Sequence, residues 1–368
     1  MKVKDVVAAL ERIAPPALAA EWDNVGLLVG DGAAEVGRLM LCIDLTEAVL
    51  AEAVKAKTQM LMTYHPVIFK PLSCLTADSA PVLYHVARYG LAVYCMHTAF
   101  DVAHGGADDV LADVLGLSDR QPLIPAAGHG QCKIVVFVPP DEVHRVSDAA
   151  FDAGAGRIGS YSRCAFFSHG IGSFCGNATS HPTVGRAGHI EAAEELRLEM
   201  VTPLAKAAAV CAAIRSTHSY ETPAIDVYPL ADFPEGCGQG RIGRLARPAG
   251  LDAIVARIKR SVRLRKVLLA RPPGRSAGAR IATAACCVGA GRIACHQAAA
   301  AGAGLFLTGE LPHHDALAAA AAGMAAVCLG HSNSERIALS HLAERLTLTI
   351  PALKVTVSAH DKDPFEIV

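Results

Sequence analysis

Apolar and polar positions along this chain change period several times, and each change marks an element. Residues 1–13 mix Lys2, Lys4, Asp5 and Glu11 with valines, the pattern of an amphipathic helix and not of a signal peptide. Apolar strand-like runs at 39–45, 59–62 and 91–97 alternate with helical patterns at 46–57, 80–89 and 107–115. That is βαβ periodicity, and it predicts an α/β sheet covered by helices. Proline, glycine and histidine dominate 124–130, which reads as a seam.

From 131 to 229 the texture differs. A strand at 133–138 leads through Pro139-Pro140 into a helix at 141–153. A hairpin-like stretch at 163–174, a Gly/Pro-rich loop at 176–188, a short acidic helix and a strand at 197–202 follow. A helix at 206–215 and an extended piece ending at Tyr228 complete a β-α-β-β-α-β order, that of a ferredoxin-like unit of roughly 100 residues. A second glycine-rich seam is expected at 236–247, after which strands at 280–287, 304–308, 325–329 and 353–358 resume the α/β pattern. The simplest organisation is a discontinuous α/β domain, 1–128 and 237–368, carrying an inserted α+β domain at 129–236.

The composition narrows the classes. A length of 368 residues favours two domains. The mean hydropathy of +0.32 hints at a membrane protein, but the apolar runs stay well under the roughly 20 residues a spanning helix needs. Thirty-four basic against 35 acidic side chains leave no overall field for a polyanion. Nucleic acid is therefore disfavoured, and the basic run 257–266 reads as a solvated helix face. The twelve cysteines include no C-x-x-C and sit mostly within apolar runs, which is reduced, cytoplasmic, core-type usage.

The candidate chemistry gathers at strand ends, where open α/β sheets bind ligands. Tyr64-His65 closes one apolar run, and Pro66 holds His65 in an extended backbone. His97 and Asp101 end another, with Asp108-Asp109 better placed to cap the following helix. His331 is expected just outside a helix and Glu335 in its first turn, near enough to share one ion; the alternative is a capping box from Ser332 to Glu335. Glu310, His313 and His314 follow a further strand and suit orienting or catalytic roles. Gly289, Gly291 and Arg292 open a helix in a manner that suits an anion, a signal that a tight turn also explains.

Taken together these stretches resemble the NIF-three-like family, the GTP cyclohydrolase 1 type 2 homologues. Glu21-Trp22-Asp23-Asn24-Val25-Gly26-Leu27 resembles its W-D-N-x-G-L signature, and Thr63 to Leu72 its T-H-H-P-x-I-F-K-P-L segment. His97 to Asp101 matches H-T-x-x-D. Thr308-Gly309-Glu310 with His313-His314, Gly330-His331 with Glu335, and Asp361 to Phe365 match its closing motifs. The resemblance implies a dinuclear site on His65, Asp101, His331 and Glu335, with Tyr64 at the remaining ligand position. A phenol with a pKa of about 10 ligates only once deprotonated, so one or two divalent ions (zinc, iron, manganese or magnesium) are expected per chain. The resemblance further implies a homohexameric toroid of dimers and a PII/CutA-like insert. It also implies a metal-dependent hydrolase acting on GTP, another small molecule or a phosphoester. The alternative is a non-catalytic metal-binding scaffold or regulatory protein whose insert senses a small molecule.

Overall fold

The apolar runs of the N-terminal part become short strands whose side chains are buried on both faces, the signature of a parallel sheet covered on each side. The computed structural model describes residues 1–126, 130–230, 235–274 and 279–366. It divides into one unit of Met1–Ala126 with Pro234–Val368 and a second of Ala127–Phe233. The expected boundary at 128–129 lies outside the described residues.

In the first unit the chain opens with α1 (Val3–Ile13), β1 (Gly26–Val29), β2 (Arg38–Cys42), α2 (Glu47–Lys55) and β3 (Met60–Thr63). It continues through α3 (Pro81–Arg88), β4 (Ala92–Cys95), α4 (His97–Val102), α5 (Ala107–Leu115) and β5 (Leu117–Pro125). The second unit holds β6 (Gln131–Val138), α6 (Val143–Asp152), β7 (Phe166–Cys175), β8 (Ile190–Pro203), α7 (Ala207–Thr217) and β9 (Ile225–Pro229). Back in the first unit come β10 (Gly238–Gly250), α8 (Leu251–Ser261), β11 (Leu268–Ala270), β12 (Arg280–Ala290) and α9 (Arg292–Ala300). β13 (Leu305–Glu310), α10 (His313–Ala321), β14 (Ala325–Cys328), α11 (His331–Thr349) and β15 (Lys354–Val357) end the chain.

The first unit is built on two sheets, ordered β1-β4-β3-β2-β15 and β11-β14-β13-β12-β10-β5. In the first sheet β15, β2, β3 and β4 run parallel, and in the second β12, β13 and β14 do. One apolar core joins them, running from Leu39, Leu41 and Met62 through Leu111 and Leu342 to Leu305 and Val327. Parallel strand ends of both sheets can therefore contribute to one crevice.

A buried ion pair with an adjoining carboxylate locks this unit. Arg241, 1% exposed, donates from Nε and Nη2 to Asp109 at 2.9 and 2.8 Å and from Nη1 to the Gly238 carbonyl at 2.7 Å. Beside it Asp108 accepts from the Gly240 and Val288 amides at 2.6 and 2.8 Å. Asp108 and Asp109 thus fasten β10 and β12 and do not cap α5, whose N-cap is Gly106.

The second unit has strand order β7-β8-β6-β9, antiparallel throughout, with its own core of Ile134, Val136, Val146, Leu198, Val210 and Ile214. Its β-α-β-β-α-β succession gives the ferredoxin-like strand order.

Three expectations are corrected. The stretch 163–174 is not itself a hairpin, because β7 is one strand paired residue by residue with β8 from Phe166↔Glu199 to Cys175↔Ile190. The acidic helix is absent, since that pairing makes 190–203 one strand and overrides the helical propensity of its alanines and glutamates. The glycine-rich stretch 236–247 is largely β10, a strand held between β5 and β12. Its glycines permit close approach: a Cβ at Gly243 would stand 2.6 Å from the Ser118 carbonyl oxygen.

No helix among the described residues is long and apolar enough to cross a membrane. All twelve cysteines are free, eight of them buried. In the basic run, Arg257 donates to the Leu115 carbonyl at 2.7 Å, while Arg260, Arg263, Arg265 and Lys266 are exposed.

Candidate metal centre

Elements from both sheets of the first unit bring three side chains together. His65 follows β3, and His331 and Glu335 lie on the first turns of α11, directly after β14. Their ligand atoms all fall within 4.8 Å of one another. His65 Nε2 is 3.3 Å from Glu335 Oε2, and His331 Nε2 is 3.2 Å from Glu335 Oε1. α11 begins one residue earlier than expected, so His331 is helical and the i,i+4 spacing sets its ring beside Glu335. The capping box is not formed, because the Ser332 hydroxyl instead donates to Asp363 at 3.3 Å.

Each imidazole is held by a second carboxylate at Nδ1, His65 by Asp44 at 2.9 Å and His331 by Glu310 at 3.0 Å. This leaves both Nε2 atoms turned to Glu335, the arrangement in which outer carboxylates orient metal-binding histidines. Asp44 was missed from the sequence. Its signal was available, since it directly follows the apolar run of β2, the parallel neighbour of β3.

The electrostatics centre on Glu335, whose side chain is 3% exposed and whose Oε2 makes no hydrogen bond. Burial would raise its pKa; the hydrogen bond from His331 and the nearby His65 overcome this and hold it below the usual carboxylate range. For His65, burial works toward a lower pKa, but Asp44 and Glu335 lift it to about 10. The Glu335 hydrogen bond, against the effect of burial, lifts His331 to about 9. The buried, ionised carboxylate is thus matched by positive charge beside it, carried by the two imidazoliums or by a cation that displaces their protons. Two histidines and one glutamate with exposed imidazole edges fit a single divalent cation with an open coordination position. Gly289 makes room, since a Cβ there would lie 2.8 Å from Glu335 Oε1, and its φ of 62° suits glycine.

Asp101 and Tyr64 do not join that group. The Tyr64 hydroxyl donates to Asp101 Oδ1, and Tyr64 is fully buried. Burial, followed by the Asp101 and Glu335 charges, pushes the phenol well above its ordinary value. Burial and the charges of Asp108 and Glu335 likewise push Asp101 far up. In this arrangement burial favours the neutral form of both groups. Asp101 lies in α4, because residues 97–102 form a short helix and not the expected strand end.

His97 stands on the rim, its ring centroid 5.3 Å from that of His65, and it opens α4 with φ 25°, a strained value for a side-chain-bearing residue. Asp23 holds it through Nδ1 at 2.7 Å and also receives the Thr98 amide at 3.1 Å. Trp22 packs edge-on against His97, so Trp22-Asp23 shapes this wall. At the other side Asp363 accepts from Asn333 at 2.8 Å, and Asp361 accepts from the Ile43 amide at 2.7 Å, tying the C-terminal segment to α11 and β2.

His313 and His314 are exposed at the start of α10 and touch each other and not the cluster. The Gly289 amide donates to Ser334 at 2.8 Å and the Gly291 amide to the Glu310 carbonyl at 3.3 Å. Arg292 is 3.4 Å from Asp315. Both amides of the expected anion site are thus used internally, and a carboxylate faces Gly289.

The family model for Duf34/NIF3 (NGG1p interacting factor 3) matches residues 1–364. A "GTP cyclohydrolase 1 type 2 homolog" of Halalkalibacterium halodurans is 34% identical over 99% of this chain and 98% of its own. One of the same name from Bacillus subtilis is 32% identical, over 98% of this chain and 97% of its own. Among solved structures, a Bacillus cereus protein related to NIF3 matches with TM-score 0.73 and 31% identity, covering 100% of this chain and 99% of its own. Staphylococcus aureus protein SA1388 matches with TM-score 0.81 and 25% identity at the same coverage.

Proposed function

The chain belongs to the Duf34/NIF3 family, and from that premise and its own residues we propose that it is a metal-dependent hydrolase working with one divalent ion per chain. The observation that carries this reading is the convergence of His65, His331 and Glu335 within 4.8 Å. Two histidines and a glutamate are a ligand set of hydrolytic metal sites, which keep a further position open for water or substrate. A divalent ion held there supplies Lewis acidity and lowers the pKa of water to about 7. Asp44 and Glu310 fix the two imidazoles so that Nε2 faces inward. His97, held by Asp23, stands where it can orient a substrate or carry a proton.

GTP is the first substrate to test, because relatives bear the name GTP cyclohydrolase 1 type 2 homolog. Formate release from GTP and hydrolysis of p-nitrophenyl phosphate would be followed for the wild type and Glu335→Ala. Turnover that disappears in the variant supports the reading; identical turnover in both overturns it. The second reading, a non-catalytic scaffold or regulator, draws support from the Tyr64–Asp101 hydrogen bond, which removes a ligand needed for two-metal chemistry. In that reading residues 129–236 act as a PII- or CutA-like sensing insert, for which the strand order β7-β8-β6-β9 and a separate core speak. A homohexamer belongs to both readings, and light scattering of the purified protein measures it.

A further inference from the structure

The second unit contains a cavity of about 410 Å³, within the size range of small-molecule sites. Phe137, Phe174 and Tyr220 give it aromatic walls, with Pro182 and Val184 adding apolar surface. Two carboxylates line it, Glu195 and Glu221, and none of its lining residues is a lysine or arginine. Glu195 comes from β8 and is 8% exposed. Among the described residues it forms no ion pair, in contrast to Glu199 on the same strand, which meets Lys133 and Arg197 at 2.8 and 2.7 Å. A buried carboxylate without a cation costs free energy unless something donates to it.

The surrounding chain is arranged around that group. A Cβ at Gly172 on the neighbouring strand β7 would stand 2.2 Å from Glu195 Oε2, so the glycine gives the carboxylate its room. The Tyr220 hydroxyl is buried without a well-formed hydrogen bond. Burial, with Glu195 beside it, raises that phenol to about 12, so it stays a neutral donor. The loop after β7 is fastened over the cavity by the His181 amide to Glu221 at 3.1 Å and by the Thr183 hydroxyl to the Ser219 carbonyl at 3.0 Å. The result is a largely apolar, aromatic-lined cavity with Glu195 and Glu221 among its lining residues.

We propose that this cavity binds a small planar ligand carrying an amidinium- or guanidinium-like N–H edge, which pairs with Glu195 while its flat face lies against the aromatic walls. A planar two-N–H edge matches a carboxylate bidentately, and cations are attracted to aromatic faces. Phosphate-bearing ligands are disfavoured by the two carboxylates and the lack of a lining lysine or arginine, His181 being the one basic residue type in the lining. The inference gives a ligand class to the sensing role and uses none of the metal-centre residues, so it stands or falls separately from the metal chemistry.

The test is calorimetric titration of the full chain with benzamidine, which is cationic at pH 7, against the isosteric neutral benzamide and anionic benzoate. Benzamidine is expected to bind, benzamide to bind at least about tenfold more weakly, and benzoate not at all. Glu195→Gln is expected to weaken benzamidine by about tenfold or more. Ala224→Trp, at an exposed lining position, is expected to block binding by filling the cavity and serves if Glu195→Gln fails to fold. Glu335→Gln is expected to leave benzamidine binding unchanged. Absence of benzamidine binding, equal binding of benzoate, or full affinity in both cavity variants overturns the proposal.

Discussion

Glu335 is buried and Asp101 partly buried near the same histidine, yet their partners give them opposite fates. Glu335 meets two imidazoles and stays ionised. Asp101 meets the Tyr64 phenol and is pushed far above its ordinary pKa. Burial disfavours charge at both; only the partner able to carry a positive charge reverses it. The comparison teaches that burial alone does not set the charge of a carboxyl at this site; the partner within hydrogen-bond distance does. Tyr64, at the position where the resemblance implies a ligand, donates to Asp101, and burial favours the neutral form of both groups.

The strongest way to break this comparison is Glu335→Gln. It removes the charge that gathers the two histidines, and bound metal is expected to fall to background by elemental analysis. Metal retained at the wild-type level would move the site elsewhere. A third buried carboxylate extends the series: Asp109 meets a guanidinium, the one partner that never loses its charge. Burial would raise the Asp109 pKa, but the Arg241 hydrogen bonds and charge hold it below the ordinary value. Asp109→Asn removes the hydrogen-bonded counter-charge of buried Arg241 and leaves only Asp108 beside it, and a loss of about 3–5 kcal/mol in denaturant unfolding is expected. Because the folded pKa is depressed, this contribution is present above the unfolded value of about 3.9 and is lost as pH falls below it. The gap between wild type and variant should therefore narrow below pH of about 4.

Smaller effects sharpen the picture. Asp44→Ala frees the outer side of His65, and metal affinity is expected to drop by about 10- to 100-fold in a chelator competition. An unchanged affinity would mean the imidazole is oriented by packing alone. Tyr64→His tests the tyrosine directly. It restores an imidazole beside Asp101, and the metal content per chain is expected to rise from one to two. Two ions in the natural protein would mean that Tyr64 ionises or that a neighbour completes the site. One ion in both would mean that Asp101 stays neutral for reasons of burial alone.

Strand and helix periodicity was readable wherever burial repeats locally. The parallel strands β2, β3 and β4 were legible because all their buried positions except Thr63 are apolar. Two elements misled for the same reason. β8 carries helix-favouring alanines and glutamates, and β10 carries glycines, so only pairing with β7 and with β5 and β12 makes them strands. At the site, His65, His331 and Glu335 were visible as ligand types at strand ends. Asp44 was not, because a single aspartate after an apolar run also suits a turn.

The order of residues alone determined the ligand chemistry available, the helical spacing that pairs His331 with Glu335, and the departure at Tyr64. Tertiary structure decided which carboxylates keep their charge. Ionisation of a buried group depends on the partner brought to within hydrogen-bond distance, and those partners come from segments far apart in the chain: Glu335 with His65, Tyr64 with Asp101, and Arg241 with Asp109.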